Sequence, residues 1–144
     1  MDDAKYTKLL AYPKILNQKA IVCANQGKQT AFKGHAITKA IEKFTVIQVR
    51  KGHLHKDDLT YVLSHVRDGI MLRIDIHGAP HNGLSTPHVH IYDNVHKNGA
   101  VAIPLEDLKN YDPTDDIVES LVAFLDYTNF AHDKTTITEQ LLIG

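Results

Sequence analysis

The sequence has no tryptophan and a single cysteine, Cys23, and only ten of its 144 residues are Phe or Tyr. One cysteine excludes an internal disulfide and fits a reducing compartment. Within the apolar run AIVCA, Cys23 reads as a small buried hydrophobe rather than a ligand or nucleophile. No apolar run approaches the roughly 20 residues of a membrane-spanning helix. The start, MDDAKYTKLLAYPK, lacks the basic-then-apolar order of a secretory signal. The cytoplasm is therefore the expected location. Also missing are a glycine-rich phosphate loop, an HExxH pair and a serine-nucleophile elbow. With no repeat, low-complexity tract or Gly/Ser linker, residues 1–144 are expected to form a single domain with a sizeable core.

What is present begins with an ordinary globular balance, 43% apolar and 23% charged, and a net charge of −1 that conceals an asymmetry. Residues 1–73 hold 13 Lys+Arg against 6 Asp+Glu, whereas residues 74–144 hold 3 against 11. Either the halves interleave and cancel, or the second half forms an acidic surface. Such a surface steers toward a basic partner and away from nucleic acid. No basic face interleaved with aromatics is legible, so direct nucleic-acid contact is not expected.

Hydrophobic spacing predicts helix over the first 25 residues, where Leu9, Leu10, Ile15, Leu16, Ala20 and Cys23 recur near 3.6, with Pro13 as a break or a second start. Strand-like runs follow at 31–38 (weak), 44–49, 59–66, 70–77, 88–92 and 100–104. Asp68-Gly69 marks a tight hairpin. A late helix is expected from an Asp112 cap and Pro113, with Ile117, Leu121, Phe124, Leu125 and Thr128 on one face. The expected fold class is α+β: an antiparallel β-sheet of about five strands with an N-terminal helical segment and a C-terminal helix packed on it.

Chemistry concentrates in RIDIHGAPHNGLSTPHVHIYD, residues 73–93, which holds His77, His81, His88 and His90. Residues two apart on a strand share a face, so His88 and His90 project together, as do Arg73, Asp75 and His77. If 70–77 and 88–92 are neighbouring antiparallel strands, the two sets meet. Zinc needs three or four N, S or O donors at about 2.0–2.3 Å. A His-x-His strand pair, His81 from the intervening loop and His77 as fourth ligand would supply them. A water in the fourth position would instead suggest catalysis. Asp75 or Tyr92 would hold a ring in one tautomer. The other six histidines read as ordinary, with His53 and His55 in GHLHK the next candidates. PHVHIYD begins like a histidine-triad nucleotide hydrolase motif, but its third position is Tyr92. A cupin would need a glutamate where Asp93-Asn94-Val95 stands.

The text VRKGHLHKDDLTYVLSHVRDGIMLRIDIHGAPHNGLSTPHVHIYD, with FLDYTNF later, resembles a family of small proteins of Gram-positive bacteria, their phages and mobile elements. Its pattern is a strand ending in Arg-Gly, a strand reading LRLD, then GPPH, a variable loop, CPHIHIY, and a helix ending near FLxYxN. The resemblance covers about residues 44–130 and puts His81, His88 and His90 on the family's histidine positions. Thr86 stands where the family has cysteine, which makes His77 its natural replacement. Phage-borne members are associated with anti-CRISPR activity, as small zinc-containing inhibitors of the type II RNA-guided effector nuclease. That implies a non-enzymatic role in the host cytoplasm, with zinc as a staple. The basic DNA channels of the effector would suit an acidic partner. Asp112, Asp115, Asp116 and Glu119 are candidate contacts, or simply a solvated helix N-terminus. The alternative is a metal-dependent nuclease or toxin that uses the same histidines with Arg73 or Asp75 in catalysis. Nickel is the alternative to zinc at an imidazole site.

Overall fold

A computed structural model describes residues 1–50, 59–76, 87–111, 114 and 116–139. Among these the order is α1 (Asp3–Ala11), β1 (Lys14–Leu16), β2 (Ala20–Val22), β3 (Lys28–Ala36), β4 (Lys43–Arg50), β5 (Leu59–His65) and β6 (Gly69–Asp75). Then come β7 (His88–Ile91), β8 (Ala102–Pro104), α2 (Ile117–Tyr127), β9 (Phe130–Ala131) and β10 (Thr136–Thr138). Eight strands form one sheet in the order β8-β7-β6-β5-β4-β3-β1-β9, and β10 pairs separately with β2. The β1–β9 and β2–β10 ladders are parallel and the others antiparallel. The expected α+β domain of about five strands is therefore corrected. Among the described residues the chain is mostly β, with ten strands and two short α-helices.

The N-terminal helix is shorter than its spacing predicts. Asp2 caps α1 by accepting from the Lys5 N–H, and the helix ends at Tyr12, which is extended (ψ 131) ahead of Pro13. After the proline the chain turns into β1 and β2, which fill positions that mimic a helical period. At the other end, α2 begins four residues later than an Asp112 cap would place it. Asp116 is the cap, its carboxylate accepting from the N–H groups of Val118 and Glu119.

Strict alternation builds the sheet. In β5, Leu59, Tyr61, Leu63 and His65 are buried and the residues between them only partly so. Phe44, Val46 and Gln48 of β4 share that inner face through the β4–β5 register. Both helices cover it: Tyr6 of α1 donates to the Met71 carbonyl (2.8 Å), and Phe124 of α2 stacks on Tyr61 (5.3 Å between centroids). Ile117, Leu121, Phe124, Leu125 and Thr128 are all buried, as their common face required. Among the described residues no helix is long and apolar enough to cross a membrane.

Gly34 marks a close approach in the sheet. A Cβ there would lie 2.5 Å from the Ile15 carbonyl oxygen and 2.7 Å from the Phe130 ring. Gly34→Ala is expected to destabilise by about 1–3 kcal/mol, read as an earlier urea midpoint. The Ile15 oxygen belongs to a strand held on both sides, so it has little freedom to retreat.

Candidate metal centre

The β6–β7 register pairs Asp75 with His88 and Arg73 with His90. Directly opposed residues share a sheet face, so this ladder gathers all four side chains on the face opposite the helices. Asp75 is 4% exposed, His88 0% and His90 7%. Their ligand atoms all lie within 4.8 Å of one another, and the cluster could hold a metal ion. The expectation that His88 and His90 project together, opposite Arg73 and Asp75, agrees with this register. His77 and His81, the other two expected ligands, lie outside the described residues, as do Asp112, Asp115, His53 and His55.

Asp75 is anchored from two strands. Thr60 of β5 donates to its Oδ1 (2.7 Å), and Arg73 approaches both oxygens, from Nε (3.2 Å) and from Nη2 (3.2 Å). His88 Nε2 lies 3.0 Å from Oδ2. This carboxylate is thus a member of the cluster itself, more than the tautomer-fixing neighbour the strand pattern suggested. The side chain of Arg73 is 37% exposed, so this partner of the buried carboxylate is within reach of solvent.

His90 is oriented from the far side. Its Nδ1 lies 2.8 Å from the Gly99 carbonyl oxygen. A carbonyl only accepts, so Nδ1 is the donor and Nε2 is the ring nitrogen that a metal would take. That carbonyl is delivered by a turn with three successive left-handed residues, Lys97 (φ 52), Asn98 (φ 54) and Gly99 (φ 85). Asparagine and glycine tolerate this region better than most residues. A Cβ on Gly99 would also meet the Tyr92 ring at 2.5 Å. Tyr92 therefore acts on the site by packing on the glycine. The Lys-Asn-Gly turn signal was present in the sequence, but nothing linked it to a histidine nine residues earlier.

Two imidazoles and a carboxylate form a donor set suited to borderline divalent ions such as zinc or nickel. The described histidines outside the cluster have other engagements. His35 pairs with Asn17 (2.8 Å), His96 with Asp93 (2.7 Å) and His132 with Asp126 (2.6 Å). His65 lies buried between Glu42 and Asp68. Cys23 is buried, and burial pushes its thiol up, away from the reactive thiolate. Of the acids expected to meet a partner, Asp116 spends its carboxylate on the helix cap, and Glu119 is exposed.

No curated protein and no solved structure matches the chain. A family model does match, over residues 1–130. On that match the chain belongs to the family of unknown function DUF6978.

Proposed function

We propose that this chain is a zinc-stapled binding protein: a phage-type anti-CRISPR inhibitor of a type II RNA-guided effector nuclease, acting in the bacterial cytoplasm. Zinc is held by Asp75, His88 and His90, with His77 or His81 as fourth ligand. The metal fastens the segment between β6 and β7 to the sheet. The observation that carries the structural role is the burial of the three donors, at 0–7% exposure, because a catalytic zinc needs an open position that substrate can reach. The resemblance of residues 44–130 supplies the target, and the acidic balance of residues 74–144 gives the effector's basic channels a complement.

One observation favours a second reading. The side chain of Arg73 sits beside the cluster and is 37% exposed, where its guanidinium could hold a phosphate beside a metal-bound water. The two readings separate in one set of measurements on tag-free protein. Elemental analysis is expected to find about one zinc per chain, lost in His88→Ala/His90→Ala. Wild type, but not that variant, is expected to stop DNA cleavage by a type II effector and to show no nuclease activity of its own. Chelator-sensitive cleavage of nucleic acid by the protein alone would replace the inhibitor with the hydrolase.

A further inference from the structure

Helix α1 is a ridge between two grooves of opposite charge. One groove, of about 630 Å³, takes Thr7, Leu10 and Ala11 from the helix and Asp93, Asp126 and Tyr127 from across it, with no Lys, Arg or His among the described residues of its lining. The other, of about 520 Å³, takes Lys5 and Lys8 from the helix, and Lys39, Ile41 and Arg67 from the turns that follow β3 and β5. Its acid, Glu42, is drawn inward onto His65 (3.3 Å). Lys5 is held by Asp68 (2.8 Å), whereas Lys8, Lys39 and Arg67 make no ion pair among the described residues. The charge asymmetry of the sequence thus becomes spatial along one helix.

The crest between the grooves is small. Successive side chains on a helix turn by about 100°, and Tyr6 and Leu9 face inward. That leaves Ala4, Thr7, Lys8 and Ala11 exposed on the outer line. Three of these four are short enough to let another backbone come close. Ile41 and Val66, 63% and 67% exposed, flank the basic side and add apolar surface to it.

We propose that the chain self-associates through α1 as a two-fold dimer. The axis runs along the helix, so the two helices lie parallel and Ala4, Thr7 and Ala11 meet their own counterparts. Rotation about that axis places the basic groove of each copy over the acidic groove of the other. The contact is self-complementary, as a closed two-fold interface must be. A nine-residue helix is only about 14 Å long. The groove walls therefore supply most of the roughly 1,200 Å² that a stable interface needs. A second copy fits better than a nucleic-acid strand because it meets both features at once. Phosphates would satisfy the cations but leave the aliphatic rim and the acidic groove without a function.

The test uses full-length protein in sedimentation experiments over a wide concentration range. Wild type is expected to dimerise, and salt to weaken the dimer. Lys8→Glu/Arg67→Glu makes both grooves acidic, and Thr7→Lys/Asp126→Lys makes both basic. Each variant, with its fold verified by its melting curve, is expected to be monomeric, at least ~10-fold weaker in association. Their equimolar mixture is expected to recover the dimer, which a merely unfolded variant cannot do. Ala11→Cys is expected to cross-link to itself under mild oxidation. A wild type that stays monomeric overturns the proposal, as do charge-reversed variants that dimerise unchanged. Binding of a labelled oligonucleotide to monomeric wild type, lost in Lys8→Glu/Arg67→Glu, also overturns it and assigns the basic groove to nucleic acid.

Discussion

At pH 6, where its ammonium is intact, Lys14→Met is expected to lower the unfolding free energy by about 3 kcal/mol, read from urea midpoints at constant slope. Lys14 is 0% exposed and, among the described residues, has no carboxylate for a partner. Its ammonium instead donates to three carbonyls: Leu10 (2.8 Å), Tyr12 (3.0 Å) and Thr128 (2.7 Å). Those oxygens lie at the C-terminal ends of α1 and α2, where helix dipoles present negative charge. The rings of Phe44 and Phe130 add their faces, at 4.9 and 5.7 Å. One cation thus closes both helices onto β1. Methionine has a similar length but no donor, so three buried carbonyls lose their partner together.

The same residue sets a pH dependence. Burial pulls the Lys14 ammonium down to about 7 from its ordinary 10.5. Between those two values the unfolded chain holds a proton that the folded chain does not, so stability rises with pH across that window. Below about 7 both states are protonated and the contribution is flat. The gap between wild type and Lys14→Met is therefore expected to widen from pH 7 to pH 10. Urea midpoints at pH 6, 8 and 10 measure it. A gap that is constant or narrows would show that the helix carbonyls hold the proton against burial.

The second large effect concerns the proposed zinc. Zinc at ~1,000 times its dissociation constant should stabilise the fold by about 4 kcal/mol. A chelator should remove that gain from wild type and leave His88→Ala/His90→Ala unchanged. The Arg73 guanidinium already balances the buried Asp75 carboxylate, whether or not a metal is bound. Arg73→Met is therefore expected to increase the dependence on metal, with chelation costing the variant more than wild type in the same melting experiment. A chelator without effect on wild type would remove the staple.

The parts legible in the sequence are those whose partners are local. Leu59, Tyr61, Leu63 and His65 alternate cleanly, and their strand forms where that alternation predicts it. His88 and His90 could be paired with Arg73 and Asp75 because one hairpin joins them. The rest depends on distant partners. Lys14–Leu16 is a strand only because β3 lies on one side and Phe130–Ala131 on the other. Its own residues, taken with Leu9 and Leu10, fit a helical period equally well. β3 gives a weak signal because its outward positions are Lys33, Ala31 and Gln29, on the face opposite α1 and α2. β9 and β10 are too short to announce themselves, and parallel pairing with β1 and β2 leaves no turn signal. At the site, the hairpin histidines were visible, while the Gly99 carbonyl that orients one of them was not.

The pairing of β1 with β9 and of β2 with β10 also has a kinetic side. Each joins residues more than a hundred positions apart, so a chain emerging from the ribosome makes its first strands long before their last neighbours exist. Until Phe130–Ala131 arrives, β1 is an open edge, and Lys14 lacks the Thr128 carbonyl. Contacts of such long sequence separation slow the closing step of folding. The early strands are therefore the part of this molecule most exposed to mispairing during synthesis.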